Sequence, residues 1–295
     1  MKIRLISGAC YTAILVAFYL LKIFVHDLCF DALLYFCALV GTFEMLRATK
    51  EKTSKAQRVI VFLFAVVCLP ACALCQQFFQ NGIQITALCF FLAMLAILCL
   101  LVADHEKTSL ESVGVSLLSL VYPTLFLSVL VLVNHANAPQ GLEEFAFNSD
   151  LFVLLIFVIS PFADSFAYLF GRFMRKYFPR PFAPTVSPNK TVIGAIGGLV
   201  GGLVGATILY FSYNAVAGSF ENMAIWLPLY LAIGLLSAVA TAFGDLLESA
   251  IKRKLEIKDM GKIMPGHGGV LDRVDGTMFA TIVVYAAFII VQCIA

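Results

Sequence analysis

Residues 258–276, KDMGKIMPGHGGVLDRVDG, carry three aspartates, three basic residues, one histidine and five glycines inside an otherwise greasy chain. Asp259, Asp272 and Asp275 bracket the PGHGG turn, and the last two share a face if that segment is helical. Carboxylate oxygens are what hard divalent cations such as Mg²⁺ take, usually with water and substrate phosphate completing the shell. Lys252, Arg253, Lys258 and Arg273 bring positive charge for phosphate oxygens, arginine as a fork and lysine as a point charge. Gly266, Gly268 and Gly269 permit close backbone approach and can aim N–H groups at an anion. His267 between them suits a phosphate donor, a positioning group or a metal ligand, but a lone histidine without thiolates is not a zinc site. These ingredients fit metal-assisted phosphoryl or nucleotidyl transfer, in which catalysis is mostly positioning and charge stabilisation. A loop that served only topology would not need so many glycines and aspartates.

Other candidates lie upstream. Asp245, Glu248 and Lys252 in GDLLESAIKRK follow i, i+3, i+7 spacing and share one helix face, which also describes an ordinary salt-bridged helix end. Asp164, in SPFADSFAYLFGR, sits past the middle of an apolar run, where a carboxylate is costly unless it faces protein, water or a metal. Pro161 interrupts the same run and frees a backbone carbonyl near that acid. SPNKTVIG, 187–194, puts Asn189, Lys190 and Thr191 at a helix start whose N–H groups suit phosphate.

The elements that must position these residues are membrane spans. The chain has 295 residues, 61% hydrophobic and 13% charged, with a mean hydropathy of +0.96. Soluble domains carry about 25% charged residues, so no water-soluble core absorbs this composition. Windows of about twenty apolar residues cross roughly 30 Å of hydrocarbon. Nine are expected, at 5–25, 28–47, 59–76, 83–103, 112–133, 151–171, 192–212, 224–247 and 277–294. The reading is an all-α polytopic membrane protein. Residues 1–150 form about five N-terminal spans, and 151–295 form a C-terminal catalytic region with a cytoplasmic loop at 248–276. The second window is the least secure, since Asp31 and Glu44 inside it imply burial against other helices. All but Lys22 of the 20 lysines and arginines fall on one side of this topology, Lys107 included. By the positive-inside rule the N-terminus is cytoplasmic and the C-terminus is not.

Two patterns are set aside on physical grounds. GAIGGLVGGLVG, 194–205, lacks the acidic residue of a dinucleotide fingerprint and the GK[ST] of a P-loop. Its glycines instead form small-xxx-small pairs that let helices approach closely in lipid. The nine cysteines, including Cys72 and Cys75 of a CxxC, all fall in apolar runs and read as small hydrophobes.

SAIKRKLEIKDMGKIMPGHGGVLDRVD, 249–275, resembles the signature of the phosphatidate cytidylyltransferases, also called CDP-diacylglycerol synthases. The matching positions are Ser249, Lys252, Arg253, Lys258, Asp259, Pro265, His267, Gly268, Gly269, Asp272, Arg273 and Asp275. DSFAYLFGR at 164–172 and SPNKT at 187–191 look familial as well, so the likeness spans roughly the C-terminal half. Asn189 and Ile193 depart from the family's SPKKT-x-EG, and Ile193 can neither bind metal nor accept a proton. The resemblance implies that CTP and phosphatidate give CDP-diacylglycerol and pyrophosphate with Mg²⁺, one ion or two being left open. It implies metal ligation by Asp259, Asp272 and Asp275, with Asp245 and Asp164 as further ligands or in support. Lys252, Arg253, Lys258, Arg273 and His267 would bind triphosphate and lipid headgroup, with Ser249, Gly268, Gly269, Asn189 and Lys190 as further substrate contacts. The implied setting is the cell's inner (plasma) membrane, with the bilayer as a partner, no nucleic acid, and a homodimer suggested also by the glycine-rich seventh span. Three other readings compete: a CTP-dependent enzyme acting on another lipid phosphate or a polyprenol with similar parts, a cation-coupled transporter suggested by intramembrane acids and glycine-rich helices, and a noncatalytic relative that scaffolds lipid enzymes, suggested by Ile193.

Overall fold

A computed structural model describes residues 2–106, 108–136, 148–217, 223–264, 266 and 268–294. Lys107, Pro265 and His267 lie outside the described residues. Among those described, nine helical stretches are long and apolar enough to cross a membrane. The chain divides into two compact units, Met1–His135 with Leu255–Val274, and Ala136–Lys254 with Asp275–Ala295.

The first unit opens with α1 (Lys2–Phe24) and α2 (Asp27–Ala48), where His26 Nδ1 accepts the N–H of Leu28 at 3.2 Å to start α2. α3 (Lys55–Phe79) starts from a capping box, Ser54 and Gln57 each accepting the other's backbone N–H. α4 (Gly82–Ala103) follows, and then one span built from α5 (Leu110–Leu120), a kinked turn at Val121–Leu125 in which Tyr122 leaves the helical region, and α6 (Phe126–Asn134). Pro123, which has no N–H to donate, sits in that turn and accounts for the break in the ladder. Leu46, Val61, Phe64, Cys68, Ile97 and Leu120 form the core. Cys68 and Cys72 are fully buried free thiols there, Cys68 Sγ lying 3.8 Å from Ser128 Oγ. The acids expected to bury α2 do so: Asp31 and Glu44 are 6% and 3% exposed. Asp31 accepts from Asn134 Nδ2 at 2.9 Å and pairs with His135 Nε2 at 2.5 Å, while Lys22 pairs with Asp27 at 2.5 Å.

The second unit contains α7 (Ser149–Met174), a hairpin of β1 (Pro181–Ala183) and β2 (Ser187–Thr191), α8 (Val192–Ala217), α9 (Met223–Lys254) and the part of α10 (Leu271–Ile294) from Asp275 onward. The glycines of α8 set its packing. A Cβ at Gly197 would lie 2.5 Å from Phe170 Cβ, and one at Gly201 2.5 Å from the carbonyl oxygen of Phe162, both on α7. One at Gly202 would lie 2.5 Å from the carbonyl oxygen of Gly234 on α9. Both small-residue faces of α8 are therefore used within the chain, bringing α7 and α9 to backbone contact. Gly244 and Gly276 do the same for α9 and α10, where a Cβ at Gly244 would meet the carbonyl oxygen of Asp275 at 2.7 Å.

Two helix ends run furthest past the hydropathy windows. α9 continues to Lys254 instead of stopping near 247, and α10 begins at Leu271 instead of 277. A hydropathy window ends where charges begin, but a helix does not. Glu248 and Lys252 are an i, i+4 ion pair, and the basic residues of the last turn favour the negative end of the helix dipole. Asp272 and Asp275 are consequently both helical residues of α10.

Candidate active site

In the second unit, α7, the β1–β2 hairpin, α8 and α9 surround a cavity of about 720 Å³, within the range of ligand pockets. Polar groups reach it from three of these elements: Asp164, Tyr168 and Arg172 from α7, with Arg175 just past its end, Asn189, Lys190 and Thr191 from β2, and Asp245 from α9. Thr191 ends the strand and accepts the N–H of Gly194 through Oγ1 at 3.1 Å, which starts α8. The antiparallel pairing of Pro181 with Thr191 and Ala183 with Ser187 aligns Asn189 and Lys190 beside that helix start. Arg172 donates to the Tyr168 hydroxyl at 2.8 Å, holding its guanidinium on the cavity-lining stretch of α7.

Beside the cavity three carboxylates meet two ammonium groups. Asp275, 9% exposed, has its carboxyl against those of Asp245 and Glu248, within hydrogen-bonding reach of both. Lys190 Nζ lies 2.5 Å from Asp245 Oδ2, and Lys252 Nζ lies 2.6 Å from Glu248 Oε2. Gly276 donates its N–H to Asp275 Oδ1 at 2.8 Å. Like charges this close repel strongly in a low dielectric, and the two ion pairs place a lysine on Asp245 and a lysine on Glu248. Among the described residues, no three of His, Cys, Asp and Glu are arranged as a ready-made metal shell. Asp245, Glu248 and Asp275 are a close group of carboxylates, the first two held by lysine.

The first unit contains the glycine-rich turn. Asp272, 7% exposed, accepts the N–H of Met260 at 3.0 Å and of Gly269 at 2.7 Å, both through Oδ2. Glu44 accepts the N–H of Val270 at 3.2 Å through Oε1 and of Leu271 at 3.0 Å through Oε2. Gly266 and Gly268 have φ of 77° and 88°, the left-handed region glycine enters without strain. Of the glycine N–H groups expected to meet an anion, that of Gly269 meets the protein's own Asp272, while Glu44 takes the neighbouring N–H groups of Val270 and Leu271.

The expected residues thus separate into groups. Asp164, Asn189, Lys190 and Asp245 line one cavity, and Lys190, Asp245, Lys252 and Asp275 join in one charged cluster with Glu248. Ser249 is half-buried on α9, and Arg253 Nε donates to the carbonyl oxygen of Val186 at 3.5 Å. In the first unit Lys258, Asp259 and Arg273 are exposed, while Asp272 and Gly269 belong to the turn. His267 lies outside the described residues. Ile193 is half-buried in the first turn of α8. Sequence reasoning gave Glu44 no role at the turn, and its only signal was a carboxylate inside an apolar window. It also left Glu248 as an ordinary helix-end acid, although the i, i+3 spacing from Asp245 pointed to the shared face.

The profile of the cytidylyltransferase family matches residues 4–291. A phosphatidate cytidylyltransferase of Bacillus subtilis (strain 168) is 31% identical over 281 residues, which cover 95% of this chain and 94% of the relative. One from Chlamydia muridarum (strain MoPn / Nigg) is 27% identical over 266 residues, covering 87% and 82%. One from Staphylococcus haemolyticus (strain JCSC1435) is 37% identical over 128 residues, covering 43% and 45%.

Proposed function

The chain belongs to the cytidylyltransferase family, and on that premise we propose that it is a CTP:phosphatidate cytidylyltransferase. It acts at the cytoplasmic face of the inner (plasma) membrane. The observation that carries the reading is the cluster of Asp275, Asp245 and Glu248 with Lys190 and Lys252 beside a cavity lined by arginines.

Carboxylates alone repel a triphosphate. Carboxylate oxygens are what a hard divalent cation takes, and Mg²⁺ bound by Asp275 with Asp245 and Glu248 would neutralise phosphate charge and polarise the α-phosphorus. Lys190 and Lys252 donate to triphosphate oxygens from the same cluster, and Arg172 and Arg175 present guanidiniums to the cavity. Phosphatidate needs no strong base, because a phosphate monoester has its second pKa near ~6 and is mostly dianionic at neutral pH. One of its oxygens attacks the α-phosphorus of CTP. The new P–O bond forms as the bond from the α-phosphorus to the bridging oxygen breaks, and pyrophosphate leaves with the electron pair. The acyl chains stay in the bilayer.

The test is purified protein in mixed micelles with CTP. Pyrophosphate release should require both phosphatidate and Mg²⁺, and release that proceeds equally with a polyprenyl phosphate would transfer the reading to another lipid. Cytoplasmic orientation rests on the distribution of basic residues. A single cysteine at Thr185, in a chain freed of native cysteines, should react with an impermeant reagent in inside-out vesicles and not in right-side-out ones; the reverse would invert the topology. The homodimer is checked by cross-linking in native membranes, since the α8 glycines are occupied within the chain.

A further inference from the structure

We propose that Glu44, more than two hundred residues upstream of the signature segment, is a positioning residue that pins the glycine turn and the N-terminus of α10. It thereby holds Asp272 and Arg273 in working geometry. Both of its carboxylate oxygens are committed, one to the N–H of Val270 and one to that of Leu271, the first residue of α10. An acid 3% exposed within a span is costly unless it is well paired. Here it sits at the positive end of a helix dipole, where a carboxylate is stabilised. The turn is shaped around it. A Cβ at Gly261 or at Gly269 would overlap the Glu44 carboxylate, so both positions leave room for the acid. On α2 itself, a Cβ at Gly41 would lie 3.5 Å from Leu271 Cδ1, which shows how closely the two helices approach. From its other side the turn is held by Asp272, through Met260 and Gly269. Two carboxylates thus grip the amides of residues 269–271, and only one of them belongs to the signature. The N-terminal helices therefore contribute more than a membrane anchor.

The inference rests on reading the 255–274 segment as part of the active site, and its test separates the two. Glu44→Gln keeps the size but replaces one acceptor by an NH₂ that faces a backbone N–H. Hydrogen exchange at Val270 and Leu271 should accelerate at least about tenfold, with the rest of α10 unchanged. In the same protein kcat should fall about 30- to 100-fold, with KM for CTP and for the lipid within threefold, because Glu44 orders the loop without binding substrate. Glu44→Asp, which keeps the charge and one well-placed acceptor, should recover part of the loss. Unchanged exchange at 270–271 would overturn the pin. Faster exchange with unchanged kcat would overturn positioning, as would a uniform loss of protection through α2 and α10 in both variants. If the wild-type protein turns over no CTP while the exchange pattern appears as described, the proposed reaction falls and the pin alone stands.

Discussion

Substituting Asn for Asp275 removes one carboxyl group and almost nothing else. The amide is nearly isosteric, and its oxygen can still accept the N–H of Gly276, bonded at 2.8 Å in the wild type. What remains is Asp245 paired with Lys190 and Glu248 paired with Lys252. The variant should fold normally and lose its affinity for a cation. At a ligand concentration about 100 times Kd, Mg²⁺ with CTP stabilises the wild type by about 2.7 kcal/mol. At roughly 2 °C per kcal/mol for a chain of this length, that is a rise in Tm of about 5 °C. Loss of one carboxylate ligand, taken as about 100-fold in affinity, brings the same concentration to Kd and the stabilisation to about 0.4 kcal/mol, a shift of about 1 °C. Turnover should fall by at least about 100-fold, or about 2.7 kcal/mol of transition-state stabilisation. Thermal unfolding in detergent with and without Mg²⁺ and CTP, run beside pyrophosphate release, measures both. An Asp275→Asn protein that kept a 5 °C shift and turned over within threefold of wild type would refute the role given to the cluster.

Three other expectations follow from the same geometry. Lys190→Met removes an ammonium from both the cavity and the cluster and should raise KM for CTP by at least about tenfold, near 1.4 kcal/mol, with a smaller effect on KM for the lipid. Gly202→Val drives a side chain into Gly234 and Ala238 and should lower stability by about 1–3 kcal/mol through overpacking, seen as a reduced Tm. Asp31→Ala leaves Asn134 and His135 without their buried acceptor and should cost about 3–5 kcal/mol of stability, while turnover per folded molecule stays within twofold.

The spans were legible because hydropathy is a local property. About twenty apolar residues either are present or are not, and the break between α1 and α2 at His26-Asp27 is visible by eye. The glycines of 194–205 were legible for the same reason: their spacing fixes a close-packing face, although not which helices would fill it. The cluster of Asp245, Lys252 and Asp275 was half legible. The helical spacing of 245, 248 and 252 gives one face, but the approach of Lys190 depends on a hairpin of three- and five-residue strands that no periodicity announces. Glu44 lay furthest from sequence reasoning. Its partners are 226 and 227 residues away, and within its own window it looks only like a charge that weakens a span. Asp31 is the same case, bonded to residues 103 and 104 positions on. In a membrane chain a buried acid announces that it has a partner without saying where in the sequence that partner lies.

CTP labelled separately at the α- and the γ-phosphorus, supplied with Mg²⁺ to protein in phosphatidate vesicles, follows the transferred group itself. The α label should appear in the lipid fraction in step with γ label in pyrophosphate, one for one, and neither should move when Asp275 is Asn. If γ label is released while the lipid stays unlabelled, or if labelled lipid forms without phosphatidate, this chain does not transfer CMP to that acceptor.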